Sequence, residues 1–181
     1  MSAPQPIFYF NLGSPDCYMV AEQVMSALPV VPEWEPVPDF AAVAVDRERI
    51  ERVASELGLQ PLRWPEHWPP ETSRAMLAAT YAKRVGRAVA FSLAAFRQTF
   101  AAGRDLGDQN TVLIAAAACE MHPAAMLKGM ELRSVADALR AAEVRAAEAG
   151  VPSLPAIQVD DRVFEGLESI ELATAALGEL A

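Results

Sequence analysis

The sequence predicts an α/β fold in which the two ends of the chain build one open sheet and a long helical stretch is inserted between them. Three observations predict it. Residues 7–28 read as strand, tight loop and helix; residues 46–149 carry helical patterning punctuated by glycine and proline; and residues 150–177 read as two short strands and a closing helix. This divides the chain into a sheet-bearing domain, residues 1–45 and 150–181, and an inserted helical subdomain, residues 46–149. With 181 residues, 52% of them hydrophobic, the chain can bury one sizeable core.

The elements follow in order. Ile7-Phe8-Tyr9-Phe10 is a short apolar and aromatic run of β preference, and Gly13-Ser14-Pro15 closes it. Ser14 suits an N-cap and Pro15 a first helical position, where proline gives up only an N–H that has no partner inside the helix. The helix reaches Leu28, with Cys17, Val20, Ala21, Val24 and Leu28 on one face. A proline-rich stretch, Pro29 to Pro38, contains the next strand, Glu33 to Val37. Pro36 confines that strand to a sheet edge.

Helices are expected over Asp46 to Leu57, Glu71 to Val85 and Arg87 to Phe100, with Gly58, Gly86 and Gly103 as stops. Asn110-Thr111 opens an apolar helix to Glu120, and His122-Pro123 interrupts it. Ser134 to Asp137 resembles a capping box for a helix running to Gly150. No repeat length recurs, which argues against a solenoid. From Gly150 to Gly166, two strands flank Asp160-Asp161, and a last helix covers about Glu168 to Leu177.

Composition excludes several functions. The net charge of −9, without a basic cluster, disfavours nucleic acid as a partner. No apolar run approaches the roughly 20 residues that span a bilayer, and the first residues lack a basic segment followed by an apolar core, so a cytoplasmic location without membrane contact is expected. Thirteen arginines to two lysines, with much alanine, suggest a bacterial genome of high GC content. Two cysteines, Cys17 and Cys119, are too few for a disulfide scaffold, and Cys119 reads as helix packing. No metal is called for.

Chemistry concentrates at the first turn. The free N–H groups and positive dipole end of the first helix stabilise an anion, and a thiolate is one such anion. Ser14-x-x-Cys17 has the spacing of a redox Cys-x-x-Cys motif with serine in the first position, so a dithiol cycle lacks its attacking sulfur. What remains is a hydroxyl able to donate a hydrogen bond to the thiolate of a bound cofactor. The other reading makes Ser14 a plain cap and Cys17 a small buried hydrophobe. A second stretch, Pro61 to Pro70, carries Arg63, Trp64, His67 and Trp68 between prolines, a composition suited to a planar aromatic carboxylate. Equally, the tryptophans could pin the loop to the helices.

Phe8-Tyr9-Phe10, then Ser14-Pro15 and Tyr18, resembles the opening of 2-hydroxychromene-2-carboxylate isomerases and kappa-class glutathione transferases, in the DsbA-like branch of the thioredoxin fold. The resemblance continues through Ala90 to Phe96, Ala102 to Leu106 and Gly150 to Gly166. It implies a thioredoxin-like fold with a four-stranded mixed sheet and a helical insert. It also implies that Ser14 stabilises the thiolate of glutathione or another low-molecular-mass thiol, that Pro155 is cis, and that Leu154 pairs through its backbone with the extended thiol. Glu168 and Ser169 fall where family members hold the glutamyl end, often with Asp-Arg. Here the cofactor's carboxylate loses an arginine partner. Asp16-Cys17 likewise departs from the isomerases' aromatic and serine. A homodimer is a further implication.

The leading expectation is therefore a thiol-dependent isomerase or transferase acting on a small aromatic substrate, with Ser14 and Cys17 as candidate catalytic residues and Arg63, Trp64 and His67 as substrate contacts. The alternatives are a thiol-disulfide oxidoreductase using Cys17 and a non-catalytic thioredoxin-fold binding protein.

Overall fold

The computed structural model describes residues 4–38 and 44–180. Strand β1 (Ile7–Phe10) leads through a tight loop into α1 (Pro15–Ala27), and the chain returns as β2 (Glu33–Pro36), parallel to β1. Six helices follow: α2 (Arg47–Glu56), α3 (Ser73–Arg84), α4 (Ala88–Phe100), α5 (Gln109–Ala118), α6 (Pro123–Met130) and α7 (Arg133–Glu148). The antiparallel pair β3 (Ala156–Val159) and β4 (Arg162–Glu165), then α8 (Ser169–Glu179), completes the chain. The sheet order is β2-β1-β3-β4, with β3 antiparallel to β1. This is the thioredoxin-like mixed sheet with its helical insert, and Pro36 does lie in an edge strand.

Strand alternation divides the sheet into two unlike faces. Phe8 and Phe10 share one face with Trp34 of β2 and Ile157 of β3, all buried. Their rings continue into the helices: Phe10 lies 5.9 Å from Phe96, and Tyr18 stacks on Phe100 at 5.4 Å, centroid to centroid. Alanines on α3, α4 and α5 let these helices close on that layer. The largest core cluster thus joins the sheet and the helical stretch in one apolar body.

The opposite face is built on Tyr9, Glu35 and Ala156. Glu35 is buried yet ionic: its Oε2 accepts hydrogen bonds from Lys83 of α3 at 2.8 Å and Arg145 of α7 at 3.1 Å. A carboxylate withdrawn from water needs such paired donors, and here they fasten two helices to the edge strand. Beside it Tyr9 donates its O–H to Gln158 at 2.7 Å. Burial, and then the charge of Glu35, raise the Tyr9 hydroxyl above its ordinary pKa. Elsewhere α6 approaches α3 through Gly129, where a Cβ would lie 2.4 Å from the Tyr81 ring.

His122-Pro123 separates α5 from α6 as expected and also starts the latter: His122 is the N-cap of α6, its Nδ1 accepting from the Ala124 N–H at 3.1 Å. One local expectation needs correction. Ser134 does not cap α7, whose N-cap is Leu132. The Ser134 hydroxyl instead accepts a hydrogen bond from Arg84 at 2.6 Å, a tertiary contact that displaces the local one.

Candidate functional site

The site forms where the loop after β1, the N-terminus of α1 and the entry to β3 meet. Asn11 shapes the loop. Its Oδ1 accepts from the Gly13 N–H at 2.9 Å while its Nδ2 donates to the Val37 carbonyl at 3.0 Å, which fixes the loop to the chain leaving β2. Gly13 is required by close packing, since a Cβ there would stand 2.9 Å from Thr72 Cγ2. Ser14 then caps α1 with extended backbone, its Oγ accepting from the Cys17 N–H at 3.2 Å. As the hydroxyl acts as acceptor toward the helix, its own proton remains available to a partner in front of it.

Across from this turn the Leu154–Pro155 peptide is cis, as the resemblance implied. The Pro155 carbonyl accepts from the Gly166 N–H at 2.8 Å, tying the entry of β3 to the end of β4. Among the described residues the Leu154 N–H and C=O have no hydrogen-bond partner. An extended ligand can therefore pair with them as a short added strand.

A cleft of about 880 Å³ lies between these walls, within the size range of small-molecule sites. Ser14, Leu154, Pro155 and Glu168 line it, together with Trp68, Pro69, Arg49 and Asp16. Arg49 reaches over from α2 and donates to both carboxylate oxygens of Asp16, at 3.0 and 3.2 Å. No local signal marks Arg49 or Asn11 as cleft residues: Arg49 arrives by the packing of α2, and Asn11 through the loop that it shapes. Asp46, which caps α2 through the Arg49 N–H at 3.1 Å, is the nearest sequence clue to where Arg49 would point.

Several expected site residues lie elsewhere. Cys17 is fully buried in the main core and does not line the cleft. Burial pushes its thiol up to about 12, against the lowering effects of Ser14 and the Asn11 backbone; the Asp16 charge raises it further. Cys17 thus packs in the core one helical turn behind the cap. Arg63, Trp64 and His67 are also outside the cleft lining. The Arg63 N–H donates to the Phe100 carbonyl at 2.8 Å, holding that end of the loop against the end of α4. Trp64 donates to Glu51 at 2.6 Å, meets Trp68 edge to face at 4.9 Å, and carries the Arg47 guanidinium on its ring at 4.8 Å. His67 is 80% exposed, 4.0 Å from Asp105. The loop does reach the site, but through Trp68, Pro69 and Pro70. Ser169 is buried with an unpartnered Oγ and stands behind Glu168 rather than in the cleft.

Among the described residues no cluster of His, Cys, Asp and Glu is arranged to hold a metal ion, and no helix is long and apolar enough to cross a membrane.

A serine-capped helix facing a cis-proline strand entry, on a β2-β1-β3-β4 sheet, defines a thioredoxin-fold site. The chain belongs to the DSBA-like thioredoxin domain family, whose model matches residues 7–178. Among solved structures it is similar to a 2-hydroxychromene-2-carboxylate isomerase, with TM-score 0.83 and 16% identity over 97% of this chain and 95% of that one. It is also similar to a "probable DsbA oxidoreductase" from Streptomyces coelicolor, with TM-score 0.78 and 20% identity over 97% of this chain and 89% of that one. DsbA of Pseudomonas aeruginosa follows with TM-score 0.67 and 13% identity, over 98% and 87%. At these identities the likeness is one of fold. No curated protein matches the chain.

Proposed function

We propose that this protein is a thiol-dependent isomerase or transferase of the 2-hydroxychromene-2-carboxylate isomerase and kappa type. One observation carries the reading: the residue at the mouth of the cleft is a serine whose hydroxyl accepts from the helix and can still donate, while the neighbouring sulfur is buried and held as a thiol. A thiol-disulfide oxidoreductase needs an accessible thiolate, and Cys17 is neither accessible nor acidic. The cleft instead suits a borrowed thiol. Leu154 offers an N–H and a C=O to an extended backbone, Pro155 supports that strand, and Glu168 can receive an amine.

When bound, a low-molecular-mass thiol supplies a nucleophilic sulfur able to add reversibly to an unsaturated aromatic substrate. Ser14 donates its proton as a hydrogen bond to that sulfur and so favours the ionised form. The N-terminus of α1 adds the attraction of its dipole and unpaired N–H groups. Trp68 gives an aromatic substrate a wall to stack on, and the prolines at 69 and 70 hold that wall stiff.

Calorimetric titration of small thiols, with their S-methyl counterparts as controls, tests the reading in wild type, Ser14→Ala and Cys17→Ala. Thiol binding that weakens at least tenfold in Ser14→Ala and persists in Cys17→Ala is the expected result. Absence of binding by every thiol, cysteamine and glutathione esters included, overturns it. A screen of 2-hydroxychromene-2-carboxylate and related aromatics for thiol-dependent isomerisation then addresses the substrate.

A further inference from the structure

The charges lining the cleft bear on which thiol it accepts, an inference that rests on the thiol-dependent reading above. Among the described lining residues the carboxylates are Asp16, Glu165 and Glu168, and the cation is Arg49. That cation is already engaged, since Asp16 takes it through both carboxylate oxygens. One guanidinium nitrogen, Nη2, bridges both oxygens, so the positive charge of Arg49 is paired inside the cleft and its pull on a ligand's carboxylate is offset by Asp16. Glu165 and Glu168 are exposed on the opposite wall, and the hydroxyl of Ser153 donates to Glu165. With Asp16 and Arg49 cancelling one another, the ligand meets two uncompensated carboxylates.

We infer that the Asp16–Arg49 pair sets ligand choice: by withholding Arg49 it makes the cleft reject carboxylate-rich thiols and accept a thiol without net negative charge, its amine directed to Glu165 and Glu168. Asp16 occupies the second position of α1, two residues after Ser14. Its charge there is tolerated by the helix dipole and by Arg49. A glutathione-sized anion does not gain Arg49, whose charge Asp16 already holds. Its two carboxylates would approach a wall of like charge without a free cation to receive them.

Glutathione and its monoethyl and diethyl esters isolate the effect, because they share one thiol and one backbone while their net charges at neutral pH run from −1 through 0 to +1. Two like charges about 8 Å apart in a water-like medium interact weakly, so two carboxylates should change affinity on the order of fivefold for each unit of ligand charge. Wild type is expected to bind the diester most tightly and glutathione least, with the spread shrinking in 0.5 M salt. Asp16→Asn frees Arg49 and should raise glutathione affinity about tenfold relative to the diester; Glu165→Gln with Glu168→Gln should flatten the series. Wild type that binds glutathione as tightly as the diester, or a ranking unmoved in Asp16→Asn, overturns the inference and leaves the thiol-dependent reading intact. Failure of all three, and of cysteamine, to bind overturns both.

Discussion

Residues 7–17 feed two regions of opposite character, the core beneath α1 and the cleft at its N-terminus. Phe8, Phe10, Leu12 and Cys17 are fully buried, whereas Asn11, Gly13, Ser14 and Asp16 are partly exposed at the cleft. The core side is held by area and shape, with aromatic rings in contact from β1 through α4. The cleft side is held by a few hydrogen bonds that also position groups for a ligand. Stability and function are therefore separable within eleven residues: core substitutions should act on folding and cleft substitutions on binding.

The largest expected effect lies on the core side. Phe10→Ala removes a fully buried ring that touches Phe8, Trp34 and Phe96, and should cost about 3–5 kcal/mol in denaturant unfolding. A loss under 1 kcal/mol would show that the aromatic layer does not carry the sheet. Cys17 gives a second test. In the native protein its thiol should resist alkylation at neutral pH by at least a hundredfold relative to the unfolded chain, read by mass spectrometry. Rapid native labelling would return it to the cleft.

Titration sharpens the same contrast. The folded Cys17 thiol is pushed up to about 12 from its ordinary value of 9.0, so the folded state holds its proton where the unfolded state releases it. That contribution to stability is intact below about pH 9 and is lost as pH rises toward 12. Tyr18, also raised to about 12 by burial first and then the Glu22 charge, adds to the fall from its own ordinary value of 10.0 upward. Cys17→Ala should make the alkaline loss of stability shallower, as measured by unfolding at stepped pH. An unchanged slope would place the titration elsewhere.

The cleft side should show the reverse balance. Ser14→Ala removes an N-cap hydrogen bond worth about 1 kcal/mol, yet should weaken thiol binding at least tenfold. A variant that unfolds without a binding defect would reduce Ser14 to a cap. Smallest of all, Arg63→Ala and His67→Ala should leave ligand affinity within about twofold, whereas Trp68→Ala should lower affinity for an aromatic substrate. Equal losses at Arg63 and Trp68 would restore the whole loop as the substrate wall.

Local rules explain why much of this was legible in the sequence. Ser14-Pro15 satisfies both the N-cap and first-turn requirements of α1, and Pro36 can sit only where a strand lacks a neighbour on one side. The matching flanks of Pro155 gave its cis peptide and its place beside Ser14. Within residues 61–70 the sequence marked a stiff aromatic loop but not its orientation. Which side chains enter a cleft depends on how a loop is anchored, here by the Arg63 bond to Phe100 and the Trp64 bond to Glu51. Ser134 shows the same limit, since a distant arginine outcompeted its local cap.

The sequence by itself determined the elements of the sheet, the serine-capped helix and the unusual Asp16 within its first turn, because periodicity, proline and capping act over a few residues. Only the tertiary structure decided that Cys17 faces the core, that Trp68 rather than Trp64 lines the cleft, and that Arg49 crosses from α2 to occupy Asp16. Those outcomes depend on packing between segments far apart in the chain, where burial and charge pairing choose among orientations that local preferences leave equal.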